Sequence, residues 1–250
     1  MLIIGLAALA PALLLMWYVY HKDTQPEPTN QVIKGFFYGA LATFVSTLIS
    51  GPLQAMGFFT QDPQTALDAV KISFFGAAIP EECAKLLMLW LLLRNNPHFD
   101  ERYDGIVYAA AVGLGFASFE NLLYVISSGA AWFSVSISRA IFAVPGHFAF
   151  AVVMGYYYSV LHFYGASAPK GTKFKMIGYP ILLHGIYDSI VFISNLGYAL
   201  SGVLSLVLVF FCFKLYQATR ERILAEAADN DLRARILRDA APEDNHPDEQ

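Results

Sequence analysis

Glu81 and Glu82 stand side by side in the run GAAIPEECAKLLMLWLLL (76–93), directly after Pro80 and within a segment apolar enough for the interior of a bilayer. A charge at mid-bilayer costs about 2.5–3.5 kcal/mol on insertion scales, so carboxylates kept there have work to do. Three further apolar runs carry groups of the same kind: Glu120 in GFASFEN, His147 in PGHFAFA, and His184 with Asp188 in HGIYD. Carboxylates and imidazoles accept and return protons and hold divalent metals, so this set suits acid–base or metal chemistry. Lys85 follows Glu81 by four residues and Glu82 by three, one helical turn, where its ammonium neutralises either acid. The two glutamates point about 100° apart on a helix, so only one faces a common centre. Glu81 is the expected one, because Lys85 lies almost above it. His184 and Asp188, four apart on one face, let the acid orient the imidazole or join the site.

The elements that must position these groups are membrane helices. The chain is 250 residues long, 56% hydrophobic and only 14% charged, against roughly 25% charged in a soluble domain. A span needs about 20 mainly apolar residues, which marks seven candidates at 1–20, 35–58, 69–93, 105–128, 134–163, 176–195 and 199–217. Loops 21–34, 94–104 and 165–175 and the segment after 217 carry Lys or Arg, whereas the alternate loops carry none. The positive-inside rule makes the first set cytoplasmic, with the N-terminus outside and the C-terminus inside. Backbone exposed to lipid must be hydrogen-bonded internally, and no alternating strands occur, so the expected fold is an all-α polytopic bundle. Its transmembrane domain is 1–217, with the motif core at 69–195. The tail, 218–250, reads as a short amphipathic helix bearing Ile223, Leu224, Leu232, Ile236 and Leu237, then an acidic disordered end containing His246.

Depth gathers the polar groups. Counted at 1.5 Å per residue from the outer ends of their helices, Glu81 lies about 18 Å down, Glu120 about 12 Å, His147 about 20 Å and His184 about 18 Å. Pro80, Pro145 and Pro180 precede three of them and are expected to bend their helices and open room for water. Gly105, Ala109, Gly113, Ala117 and Asn121 form a small-residue stripe that lets a neighbour approach closely beside Glu120. Structural ion pairs are a poor alternative reason for so many buried charges, since membrane hydrogen bonds average only about 0.6 kcal/mol. A proton-coupled transporter or channel would use similar groups, as a catalytically idle scaffold could retain them, but no inverted repeat is visible. No basic stripe or recognition motif supports nucleic-acid binding. Cys83 and Cys212 both fall in apolar runs and read as small buried hydrophobes rather than a disulfide.

PEECAK (Glu81, Glu82, Lys85), FASFEN (Glu120, Asn121), HFAFA (His147) and HGIYD (His184, Asp188), in that order on successive helices, resemble the PrsW family of intramembrane proteases. That family is related to the CAAX-processing and bacteriocin-processing membrane proteases. YDGIVYAAAVGLGF (103–116) resembles it too, and the likeness covers roughly residues 69–195. The resemblance implies a bacterial inner-membrane, multi-pass endopeptidase acting on a membrane-anchored protein or lipidated peptide, as one member cuts a membrane-anchored anti-sigma factor. Its functional set here would be Glu81, Glu82, Glu120, His147 and His184, with Asp188 where CAAX-type relatives often have Asn, and Lys85 and Asn121 in support. The family is grouped with metallopeptidases. One zinc ion held by Glu120, His147 and His184 would leave an open position for water, with Glu81 as base. A glutamate-activated water without metal is the other route. Among other protease chemistries, HExxH and GxGD are missing, and Ser118 and Cys83 make poor nucleophiles.

Overall fold

A computed structural model of the chain describes residues 2–197, 199 and 201–240. The acidic end 241–250, with His246, lies outside the described residues. Nine α-helices follow one another, with no strand among the described residues: α1 (Leu2–Tyr20), α2 (Thr29–Ala55), α3 (Ala66–Lys71), α4 (Ile79–Leu93), α5 (Arg102–Ser127), α6 (Trp132–Ile141), α7 (Ala143–Tyr164), α8 (Thr172–Asn195) and α9 (Ser201–Ala240). Six runs are long and apolar enough to cross a membrane: 3–20, 29–55, 102–127, 129–167, 172–195 and 201–233. The protein is an all-helical, multi-pass membrane bundle.

The third expected span, 69–93, is helical throughout but in three pieces. Between α3 and α4 the backbone widens into a π-helical segment, Ile72–Ala78, in which Ile79 N–H donates to the Phe74 carbonyl. Pro80 follows at once. It has no N–H to give, so the preceding turn must satisfy its carbonyls differently, and a wider turn is one solution. The two glutamates therefore sit in the first turn of α4. The expected span 134–163 is likewise two helices, α6 and α7, meeting at Phe142, so Pro145 stands in the first turn of α7. Of the three prolines expected to bend a helix from within, only Pro180 is internal to its helix. No break separates the last span from the tail helix; α9 runs continuously to residue 240.

Helix α5 forms the axis of the bundle, with all residues from Asp104 to Ser118 buried. Small residues allow it. A side chain added at Gly155 of α7 would overlap the Gly105 carbonyl, and one added at Gly113 would strike Ala151. The Gly105–Gly113 stripe is thus the α5–α7 seam, built by close backbone approach. On its other sides α5 packs against α1 through Ala12, Met16 and Val19, and against α2 and α4 through Ala42, Met88 and Leu92. Outward-facing Leu6, Leu13, Phe37, Leu48, Leu206 and Phe210 stay exposed, an apolar coat suited to hydrocarbon rather than water.

Candidate active site

Five helices bring polar side chains to one cavity of about 260 Å³, whose lining includes Glu81, Glu120, Arg139, His147, His184 and Asp188. Glu81 and Glu82 diverge as adjacent helical residues must. Glu82 is fully buried behind the wall: its Oε1 accepts from Lys85 Nζ at 2.8 Å and from His184 Nδ1 at 2.9 Å. Glu81 lines the cavity instead. Its Oε2 is buried without a hydrogen-bond partner, 3.6 Å from Lys85 Nζ and 3.8 Å from His184 Nε2.

The hydrogen-bond inventory assigns the imidazole protons. An ammonium can only donate, so Lys85 Nζ, 3.0 Å from His147 Nδ1, leaves that nitrogen as an acceptor. His147 Nε2 then carries the proton and donates to Glu120 Oε2 at 3.0 Å. His184 is the opposite case: Nδ1–H donates to the Glu82 carboxylate, leaving Nε2 facing Glu81 and, at 3.3 Å, Asp188 Oδ2. A carboxylate behind one ring nitrogen fixes the tautomer and aims the other nitrogen forward. The rings lie edge to face at 5.1 Å, while Phe150 stacks on His184 at 5.0 Å and Lys85 rests over Phe116 at 4.1 Å. These apolar walls lower the local dielectric and strengthen every charge interaction within.

Arg139 lies within the expected span 134–163 but outside the set of residues expected to form the site. It enters from α6, donating from Nη2 to Glu120 Oε2 at 2.6 Å and from Nε to Asn121 Oδ1 at 2.9 Å, over the Tyr124 ring. Asn121 in turn donates to the Ala8 carbonyl of α1, so the Glu120 side of the cavity is braced from two helices. The available signal was the rarity of a cation within a span. Tyr124, Tyr187 and Asn195 also line the cavity, with nothing in their spacing to mark them.

The donor set fits a metal ion if one bond of His147 gives way. Glu81, His147 and His184 each offer one ligand atom, all within 4.8 Å of one another, and the unpartnered Glu81 oxygen is the kind of buried acceptor an ion satisfies. With Nδ1 on Lys85 and Nε2–H on Glu120, His147 has no free lone pair, so an ion would displace one of those two partners. The expected carboxylate in this trio was Glu120, but Arg139 and His147 already engage it.

Residues 27–215 match the family described as PrsW family intramembrane metalloprotease. The chain belongs to the PrsW family. It is similar to Protease PrsW of Clostridioides difficile (strain 630), 34% identical over 84% of this chain and 87% of that protein. The same holds for Protease PrsW of Oceanobacillus iheyensis, 33% identical over 90% of this chain and 100% of that protein, and of Bacillus subtilis (strain 168), 34% over 74% and 80%. No solved structure matches the chain. As a PrsW-family intramembrane protease, the chain hydrolyses peptide bonds of membrane-associated substrates within the bilayer, and its polar cavity is the candidate place for that reaction.

Proposed function

We propose that Glu81 is the residue on which peptide hydrolysis depends, and that Glu82, Lys85, Glu120, Arg139, His147, His184 and Asp188 arrange the chamber around it. The observation that carries this reading is the buried Glu81 oxygen with no hydrogen-bond partner, facing both imidazoles. Peptide hydrolysis needs a base for water, charge to stabilise the tetrahedral oxyanion, and a proton for the leaving amine. Glu81 takes the proton of the attacking water. Lys85 Nζ lies 3.6 Å away. His184, oriented by Glu82 and flanked by Asp188, faces Glu81 with Nε2 at 3.8 Å, receives there the proton that Glu81 has taken from water, and passes it to the leaving amine. Arg139 and His147, gathered on Glu120, supply positive potential beside the developing oxyanion.

A zinc-type ion fits Glu81, His147 and His184, two imidazoles and a carboxylate with a position left for water, and when bound would supply a Lewis acid and a water of lowered pKa. Glu81 would then serve as ligand, leaving Glu120 and Asp188 as the chamber carboxylates that could take the proton. Purified protein in proteoliposomes should cleave a single-pass membrane reporter and carry close to one equivalent of zinc. Cleavage by metal-free protein at the same rate would leave only the Glu81 base.

The topology we propose is that drawn from loop charges, with loops 21–34, 94–104 and 165–175 and the tail in the cytoplasm of a bacterial inner membrane. The substrate class is a single membrane-anchored protein segment of the anti-sigma-factor kind, cut toward the outer leaflet. A cysteine placed at Lys173, exposed in the first turn of α8 beside the buried Thr172, should stay unlabelled by an impermeant thiol reagent in intact cells and react once the cells are opened. Labelling of intact cells would invert the topology.

A further inference from the structure

At the end of the bundle where loop 21–28 meets the start of α5, three carboxylates are buried together. Asp23 is 7% exposed, Glu27 4% and Asp104 1%, and each presents an oxygen, all within 4.8 Å of one another. Asp104 lies sixteen residues before Glu120 on the same helix, about 24 Å along the axis, so this cluster is separate from the polar chamber. Part of it has an ordinary explanation. Asp104 closes the first turn of α5 by accepting from the Asp100 and Glu101 N–H groups at 3.0 and 2.6 Å, and Glu27 accepts from the Tyr108 hydroxyl. Asp23 Oδ1 accepts from Gln25 N–H at 3.0 Å, but its Oδ2 is buried with no donor at all.

Cations adjoining the cluster in sequence turn elsewhere: Lys22 onto Tyr18, and Arg102 to Glu226 and Asp229 at 2.5 and 3.3 Å. His98 is the one imidazole facing Glu27 among the described residues, and no ion pair joins them. Among the described residues no ion pair joins Asp23, Glu27 or Asp104. Buried carboxylates are tolerated when paired, protonated or coordinating a metal. Oxygen-only donors of this kind select hard divalent cations, unlike the imidazole-rich chamber.

We propose that Asp23, Glu27 and Asp104 form a second, structural cation site that takes Mg²⁺ or Ca²⁺. The ion ties the α1–α2 loop to the start of α5. The same end is fastened to α9, since Glu101 accepts from both Gln25 and Asn230, so one ion would stiffen three connections at once. Tyr108 bonds Glu27 directly and Tyr103 reaches the Val19 carbonyl at 2.9 Å, which places aromatic rings beside the ion.

Those rings make the test. Full-length protein in detergent, stripped by chelator, is titrated with Tb³⁺ under ultraviolet excitation, then with Mg²⁺ or Ca²⁺ as competitor, and its Tm is followed with each divalent ion alone. The expected result is saturable, aromatic-sensitised Tb³⁺ emission displaced by Mg²⁺ or Ca²⁺, with a Tm that rises on adding the same ion. Whichever displaces at lower concentration is the preferred ion. Asp23→Asn, or Glu27→Gln should the first not fold, should weaken Tb³⁺ binding about tenfold or more and abolish the Tm response. A variant lacking both chamber imidazoles, His147→Ala/His184→Ala, should keep both signals. Emission unchanged in Asp23→Asn, displacement by neither ion, or a Tm indifferent to both would overturn the site and leave a proton-sharing acid cluster.

Discussion

Glu81→Gln should abolish reporter cleavage while Glu82→Gln leaves a measurable fraction. The amide keeps the size of the side chain but cannot accept water's proton, and a positioned general base contributes about 10²–10⁴-fold. The two residues are neighbours in sequence with different surroundings. Glu81 presents an unpartnered oxygen to the cavity, whereas Glu82 is enclosed and already holds Lys85 at 2.8 Å and His184 at 2.9 Å. Glutamine at 82 can still accept from both with its carbonyl oxygen, so the loss there is one of charge and aim. Metal content measured alongside separates the two roles open to Glu81. Zinc retained by Glu81→Gln marks the residue as base, and zinc lost marks it as ligand. Full cleavage by Glu81→Gln at equal expression would remove it from the mechanism.

Lys85→Met should cost more stability than any other single change in the chamber. The ammonium is 1% exposed and holds Glu82 Oε1, His147 Nδ1 and, more distantly, Glu81. Removing one partner of a buried ion pair leaves the other charged without compensation, a cost of about 3–5 kcal/mol. Methionine fills nearly the same volume, so the loss is electrostatic rather than a cavity. Thermal unfolding in detergent should show a clearly lowered Tm, with cleavage lost as well because His147 loses the donor that fixes its tautomer. The double variant Lys85→Met/Glu82→Gln should recover part of the stability and none of the activity, a positive coupling that a double-mutant cycle reads directly. If Lys85→Met melts with wild-type protein, the ammonium is not what stabilises the glutamate pair.

Much of this protein is legible without coordinates because a bilayer imposes simple rules. Apolar length marks spans, the need to satisfy backbone groups makes them helices, and any charge left inside a span stands out against its neighbours. On those grounds Glu81, Glu82, Lys85, Glu120, His147, His184 and Asp188 could be picked from the sequence, and helical spacing put Lys85 within reach of either glutamate and His184 beside Asp188; that Lys85 bonds Glu82 at 2.8 Å and stays 3.6 Å from Glu81 is the structure's choice. Facing direction was also within reach, since adjacent helical residues diverge by a known angle.

Contacts between helices were decided by tertiary structure. Nothing in the spacing along α5 says that Arg139, on a helix of its own, would bind Glu120, or that Glu81 would be the carboxylate with an oxygen within 4.8 Å of both imidazoles. Those pairings follow from how closely glycines let α7 approach α5 and from where the chain turns at Phe142, neither of which has a local signature. The π-helical turn before Pro80 is intermediate: a proline announces a disturbed hydrogen bond, but whether the helix bends, breaks or widens depends on what packs around it. The carboxylates at the other end of the bundle show the same division. Asp23 and Glu27 fall in the expected loop 21–34 and Asp104 at the end of loop 94–104, and only the folding of the first loop onto the start of α5 buries them together. Periodicity governs what a helix presents to its surroundings; which other helix meets that face is set by long-range packing, and the chemistry of the site lives there.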